Sequence, residues 1–134
     1  MVGSGYSEKE EMRLRFSGYR GDTLTFLCDE CVKPGMMVRM SDDFEASCIA
    51  YDAHKSEFFG ICVATDQELT KTGITRYCAV QTSGYVELEC EGQIHLGYQP
   101  IAVDCNNIAY CDYQNAKKLR LVVYSTANVV GFIL

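Results

Sequence analysis

Hydrophobic and polar residues alternate with a period of two along most of this chain, the period of a β-strand whose two faces meet different surroundings. Met12, Leu14 and Phe16 alternate with Arg13 and Arg15; in YVELEC, Val86, Leu88 and Cys90 alternate with Glu87 and Glu89. The pattern predicts strands over 23–28 (TLTFLC), 35–40 (GMMVRM), 47–51, 58–64 (FFGICVA), 77–82, 85–90, 99–105, 108–112, 119–124 and 129–134. Gly, Asn, Asp and Ser separate these runs, and Thr82-Ser83-Gly84 reads as a hairpin turn. Helix signals are confined to 66–71 (DQELTK) and 7–15, each enough for a turn or two. The expected fold is all-β: a small single-domain β-sandwich or β-barrel of short strands, β-clip-like, with little helix.

The two halves echo one another. Gly35 leads a strand, an acidic turn, a short strand and FFGICVA; Gly97 leads a strand, an Asn turn, a short strand and VVGFIL. The Gly-to-Gly spacings differ, so the echo is one of topology and not a repeat. With 134 residues the chain is near the commonest size for one domain. The expected organisation is an extended or flexible N-terminal arm over 1–20 and one β-domain over 21–134.

Charge narrows the function. Twelve Lys and Arg against 18 Asp and Glu leave a net charge of −6, the wrong sign for a surface that neutralises phosphates. Neither nucleic acid nor a membrane is an expected partner. The opening residues lack an apolar h-region, and no run of about 18 apolar residues occurs, so neither a signal peptide nor a spanning helix is expected.

Eight cysteines invite a search for thiol or metal chemistry. Cys28 and Cys31 in CDEC have the spacing of half a zinc site, which needs a second pair. Cys105 and Cys111 are too far apart in sequence to supply it. A redox dithiol would sit at the start of a helix, and here a Pro34-Gly35 turn and a β-rich run follow. Cys62, Cys78 and Cys90 lie within apolar strand patterns and read as core. His54 near Asp52, and His95, stand apart from any nucleophile. Ser41-Asp42-Asp43 reads as a turn, and Arg20-Gly21-Asp22 as a chance adhesion tripeptide. No catalytic residue, metal ligand or cofactor is expected. A metal- or thiol-dependent enzyme or sensor stays open as a third reading.

Nine tyrosines, among them Tyr6, Tyr19, Tyr51, Tyr85, Tyr98, Tyr110, Tyr113 and Tyr124, point to a surface that works by contact. The order GDTLTF, PGMMVRM, FFGICVAT, YCAVQTSGYVELE, LGYQPIAVD and VVGFIL resembles the capsid decoration (head-stabilising, or cement) proteins of tailed phages and prophages. The positions that carry the resemblance are Gly35 and Val38; Phe59, Gly60, Ile61 and Val63; Val80, Gly84, Val86 and Leu88; Gly97; and Val130, Gly131, Ile133 and Leu134. It runs from about Gly21 to Leu134. The resemblance implies a non-enzymatic protein, often trimeric, that binds the outer surface of a head and bridges major capsid subunits. Its place would be the virion surface, after assembly in the bacterial cytoplasm. The arm residues Met12, Leu14, Phe16, Tyr6 and Tyr19 are the candidate interface, and Gly35, Gly60, Gly84, Gly97 and Gly131 the structural glycines. The alternative is a small bacterial β-barrel module that binds a ligand or protein without a virion role.

Overall fold

The computed structural model describes residues 21–40, 49–52, 57–116 and 118–134. The arm residues Tyr6, Met12, Leu14, Phe16 and Tyr19, the possible helix at 7–15, His54 and Ser41-Asp42-Asp43 lie outside the described residues. Those described form an all-β structure with no helix among them. Eleven strands are present: β1 (Thr23–Cys28), β2 (Met37–Met40), β3 (Ile49–Asp52), β4 (Gly60–Thr70), β5 (Gly73–Gln81), β6 (Tyr85–Glu89), β7 (Gly97–Gln99), β8 (Ile101–Val103), β9 (Ala109–Cys111), β10 (Arg120–Ser125) and β11 (Val129–Ile133).

The pairings of the first five strands run in a closed cycle, β1-β3-β2-β4-β5 and back to β1. Every contact in the cycle is antiparallel except β1–β3, which is parallel at Leu27↔Ile49. The cycle covers the inner ends of β4 and β5, while their outer lengths pair only with each other. The second half is open, a four-stranded sheet in the order β6-β11-β10-β7 with β8 and β9 paired beside it. A parallel bridge from Cys90 to Ala109 ties the two pieces together.

Alternation builds two cores and a wall between them. Val32, Val38, Cys62, Cys78 and Val80 fill one; Met37, Phe58, Val86, Leu88, Ile101, Val103, Val122, Val130 and Phe132 belong to the other. Met37 and Val38 are neighbours on β2 yet serve different cores. Ile61 and Cys62 do the same on β4. Successive side chains of a strand point to opposite faces, so β2 and β4 are shared by both interiors. Asn107, held at φ 63°, reinforces the junction. Its side-chain oxygen accepts from the Met37 N–H at 2.9 Å, and its amide donates to the Gly35 carbonyl at 2.7 Å.

Two expectations need correction. The segment 66–71 is not helical: 66–70 are the outer length of β4, paired residue by residue with β5 from Asp66↔Tyr77 to Thr70↔Gly73, and Lys71 lies in the turn. Gly73, at φ 125°, makes the turn, and the Thr70 hydroxyl donates to its carbonyl at 2.8 Å. The ladder gives this polar stretch backbone partners that an isolated helical turn would lack. The run 99–105 is not one strand either. Pro100 has no N–H to donate, and the chain changes sheets there: Gln99 still pairs with β10, while Ile101 pairs with Cys111 on β9.

Glycines sit where backbones crowd. Gly84, at φ 90°, turns β5 into β6, and a Cβ there would lie 2.7 Å from the Gly21 Cα. The Tyr85 ring lies across Gly131, where a side chain would occupy the same space. Gly35 and Gly97 also take positive φ, at 93° and 97°.

Candidate functional site

The cysteines divide by strand face. Cys62, Cys78 and Cys90 are buried, Cys28 and Cys111 are half-buried, and Cys31 and Cys105 are exposed. The CDEC segment is therefore split: Cys28 packs against the first core while Cys31 faces solvent. Asp29 shapes the turn between them, accepting the Cys31 N–H at 2.8 Å and the Val32 N–H through its carbonyl at 3.1 Å. That backbone hydrogen bond, followed by one from the Cys31 side chain, lowers the Asp29 pKa. Among the described residues no group of three or more His, Cys, Asp or Glu side chains could hold a metal ion. His95 is exposed, as is Asp22 of the tripeptide.

Burial, then the neighbouring Cys28, pushes the Cys78 thiol up to about 12. Burial also raises Cys62 and Cys90. The sign follows from linkage: an unfolded thiol ionises near about 8.5, whereas the folded Cys78 keeps its proton well above that. Its contribution to stability is whole below the ordinary thiol range and is lost as pH rises towards about 12. Unfolding free energy measured by denaturant should thus fall through this alkaline window. Cys78→Ala should flatten the fall; an unchanged pH profile would contradict the assignment.

Exposed apolar side chains gather in two places. The first is the outer length of the β4–β5 hairpin. Leu69 is 82% exposed and Ile74 68%, and they stand directly opposite one another across the ladder. Cross-strand partners share a face, so the two make one apolar tip. Gln67↔Arg76 and Thr65↔Cys78 continue the same face towards the first core. Glu68 and Asp66 occupy the other face, opposite Thr75 and Tyr77. The ribbon is amphipathic and extends beyond either core.

The second is one face of the four-stranded sheet. Register places Tyr98, Leu121, Ile133 and Tyr85 in one row across β7, β10, β11 and β6. The other face carries the parallel row of Gly97, Val122, Phe132 and Val86, three of whose side chains enter the second core. Tyr98 is 68% exposed, and Leu96 and Leu119, in phase with the outer row, are 64% and 54% exposed. Tyr85 is fixed by its hydroxyl, which donates to Glu87 Oε1 at 2.5 Å. Tyr98 and Tyr85 belong to the tyrosine set that the sequence singled out. Leu69, Ile74, Leu96 and Leu119 were missed. A clue lay in the symmetry of Leu69 and Ile74 about the Thr70–Gly73 turn, which leaves no body for them to pack on.

A groove of about 290 Å³ runs between Gly35, Glu87–Glu89 and Asn106–Ile108. It is shallow and acidic on one wall. Arg120 is the one buried charged side chain among the described residues. Its guanidinium donates to the Phe58 carbonyl at 3.0 Å and stacks 4.7 Å from the Phe58 ring centre. No helix of the described residues is long and apolar enough to cross a membrane. In comparison with known proteins, no family model matches the chain, and a search of curated proteins finds no match.

Proposed function

We propose that this protein is a capsid decoration protein of a tailed phage or prophage, acting by contact on the outside of the head and bridging major capsid subunits. The observation that carries the reading is the pair of apolar surfaces, the exposed Leu69–Ile74 tip and the sheet face where exposed Leu96, Tyr98 and Leu119 border half-buried Leu121, Ile133 and Tyr85. Two separated contact surfaces on a rigid β body suit a part that must touch more than one neighbour. A stable contact buries about 1,200–2,000 Å² in total, and repetition over a symmetric shell multiplies weak contacts into avidity. In this reading the protein is non-enzymatic, needs no cofactor and assembles as a homo-oligomer, a trimer, on the virion surface.

The test is sedimentation of the purified protein with expanded and unexpanded shells. Binding to expanded shells alone is the expected result; no pelleting with either would end the proposal. Leu69→Ser with Ile74→Ser should abolish pelleting while changing stability by no more than about 0.5 kcal/mol, as is usual for exposed positions. The groove beside Glu87 favours a second reading, a small β-module that holds a ligand or peptide. Retention of shell binding by the double variant would remove the hairpin from the interface and leave the sheet face to account for it.

A further inference from the structure

We propose that Cys28 and Cys78 form a dithiol site that closes to a disulfide when the protein meets a low-molecular-weight disulfide. The strand register brings them together. Cys78 stands opposite Phe26 on the β1–β5 ladder, so Cys28, two residues on, is its diagonal neighbour on the face turned to the first core. Both pack in the same small core with Cys62, and Cys28 and Cys62 each act electrostatically on the Cys78 thiol. Three free cysteines thus neighbour one another there.

Access singles out one pair. Cys62 and Cys78 are each 1% exposed, so an oxidant reaches neither first. Cys28 is half-buried, ends β1, and lies just past the last β5 partner pair, Leu27↔Tyr77. Diagonal Cα atoms across a ladder lie about 7–8 Å apart, and a disulfide needs less than about 6.8 Å. An inward shift of about 1 Å at the end of β1 closes that gap. Cys31, the sequence neighbour, is exposed at the Asp29 turn, outside the first core that Cys28 packs against. Arg76 supplies positive charge: its field reaches Cys62 and Cys78, and its buried Nε lacks a hydrogen-bond partner among the described residues.

The chemistry balances with a small disulfide RSSR as oxidant. The Cys28 thiol loses its proton and its sulfur attacks one sulfur of RSSR, which forms the mixed disulfide and releases RSH. Cys78 then loses its proton, and its sulfur attacks the Cys28 sulfur and expels the second RSH. The protein gives up two electrons and two protons, and RSSR becomes two RSH. Burial of Cys78 makes the second step the slow one, and it should accelerate as pH rises.

Full-length native protein incubated with glutathione disulfide, quenched by alkylation and digested, tests the assignment. A peptide joining Cys28 to Cys78, lighter by two hydrogens, is expected. In Cys78→Ser the reaction should stop at a glutathione adduct on Cys28, and Cys78→Ala serves if the serine variant does not fold. A Cys28–Cys31 disulfide, adducts confined to Cys31 and Cys105, or eight alkylatable thiols after treatment would each overturn it.

Discussion

Replacing Phe132 by alanine should cost about 3–5 kcal/mol of folding free energy, the range for a large aromatic removed from a closed interior. Phe132 is fully buried near the middle of β11. Its register partners, Val122 on β10 and Val86 on β6, are buried beside it. The Phe58 ring meets it with centroids 6.2 Å apart and planes tilted by 54°. Phe58 is in turn held by Arg120, through its carbonyl and across its ring. A void at Phe132 therefore loosens the one buried arginine among the described residues as well as an aromatic pair. Denaturant unfolding should register the loss, and the melting temperature should drop by about 10 °C or more. Phe132→Leu keeps most of the volume and should cost much less. A drop of under about 1 kcal/mol for the alanine variant would mean that this side chain does not anchor the second core.

Gly60→Ala should be nearly as damaging, through added atoms instead of missing ones. The glycine opens β4 opposite Val38, and β5 runs close behind it. A Cβ there would overlap the backbone carbonyl of Gln81 and lie 2.6 Å from Val80 Cγ1. The carbonyl belongs to the ladder and cannot rotate aside as a side chain would. Overpacking of this kind costs about 3 kcal/mol. Val80→Ala in the same chain removes one of the two collisions and leaves the other, so the double variant should recover little. Full recovery would show that the strands have room to part.

The all-β character was legible because alternation is strong where one strand face is buried. Val86, Leu88 and the residues between them show it clearly, and β6 lies within one residue of its expected bounds. Alternation fades where both faces meet solvent. The outer part of β4 and β5 has no core to select apolar residues on one side, and DQELTK looked helical for that reason. The change of sheet at Pro100 and the parallel β1–β3 contact depend on pairing between distant segments, which local pattern does not encode. The candidate surface was half legible. Surplus tyrosines pointed outward, but an exposed leucine reads in sequence like a core leucine until the fold shows which side of the sheet it occupies.

The two strands shared by both interiors have one more effect. Enlarging Val38 presses on the same backbone that carries Met37, so strain introduced into one packed region is transmitted to the other. A change of volume on one side of β2 or β4 is thereby felt on the opposite side of the same strand.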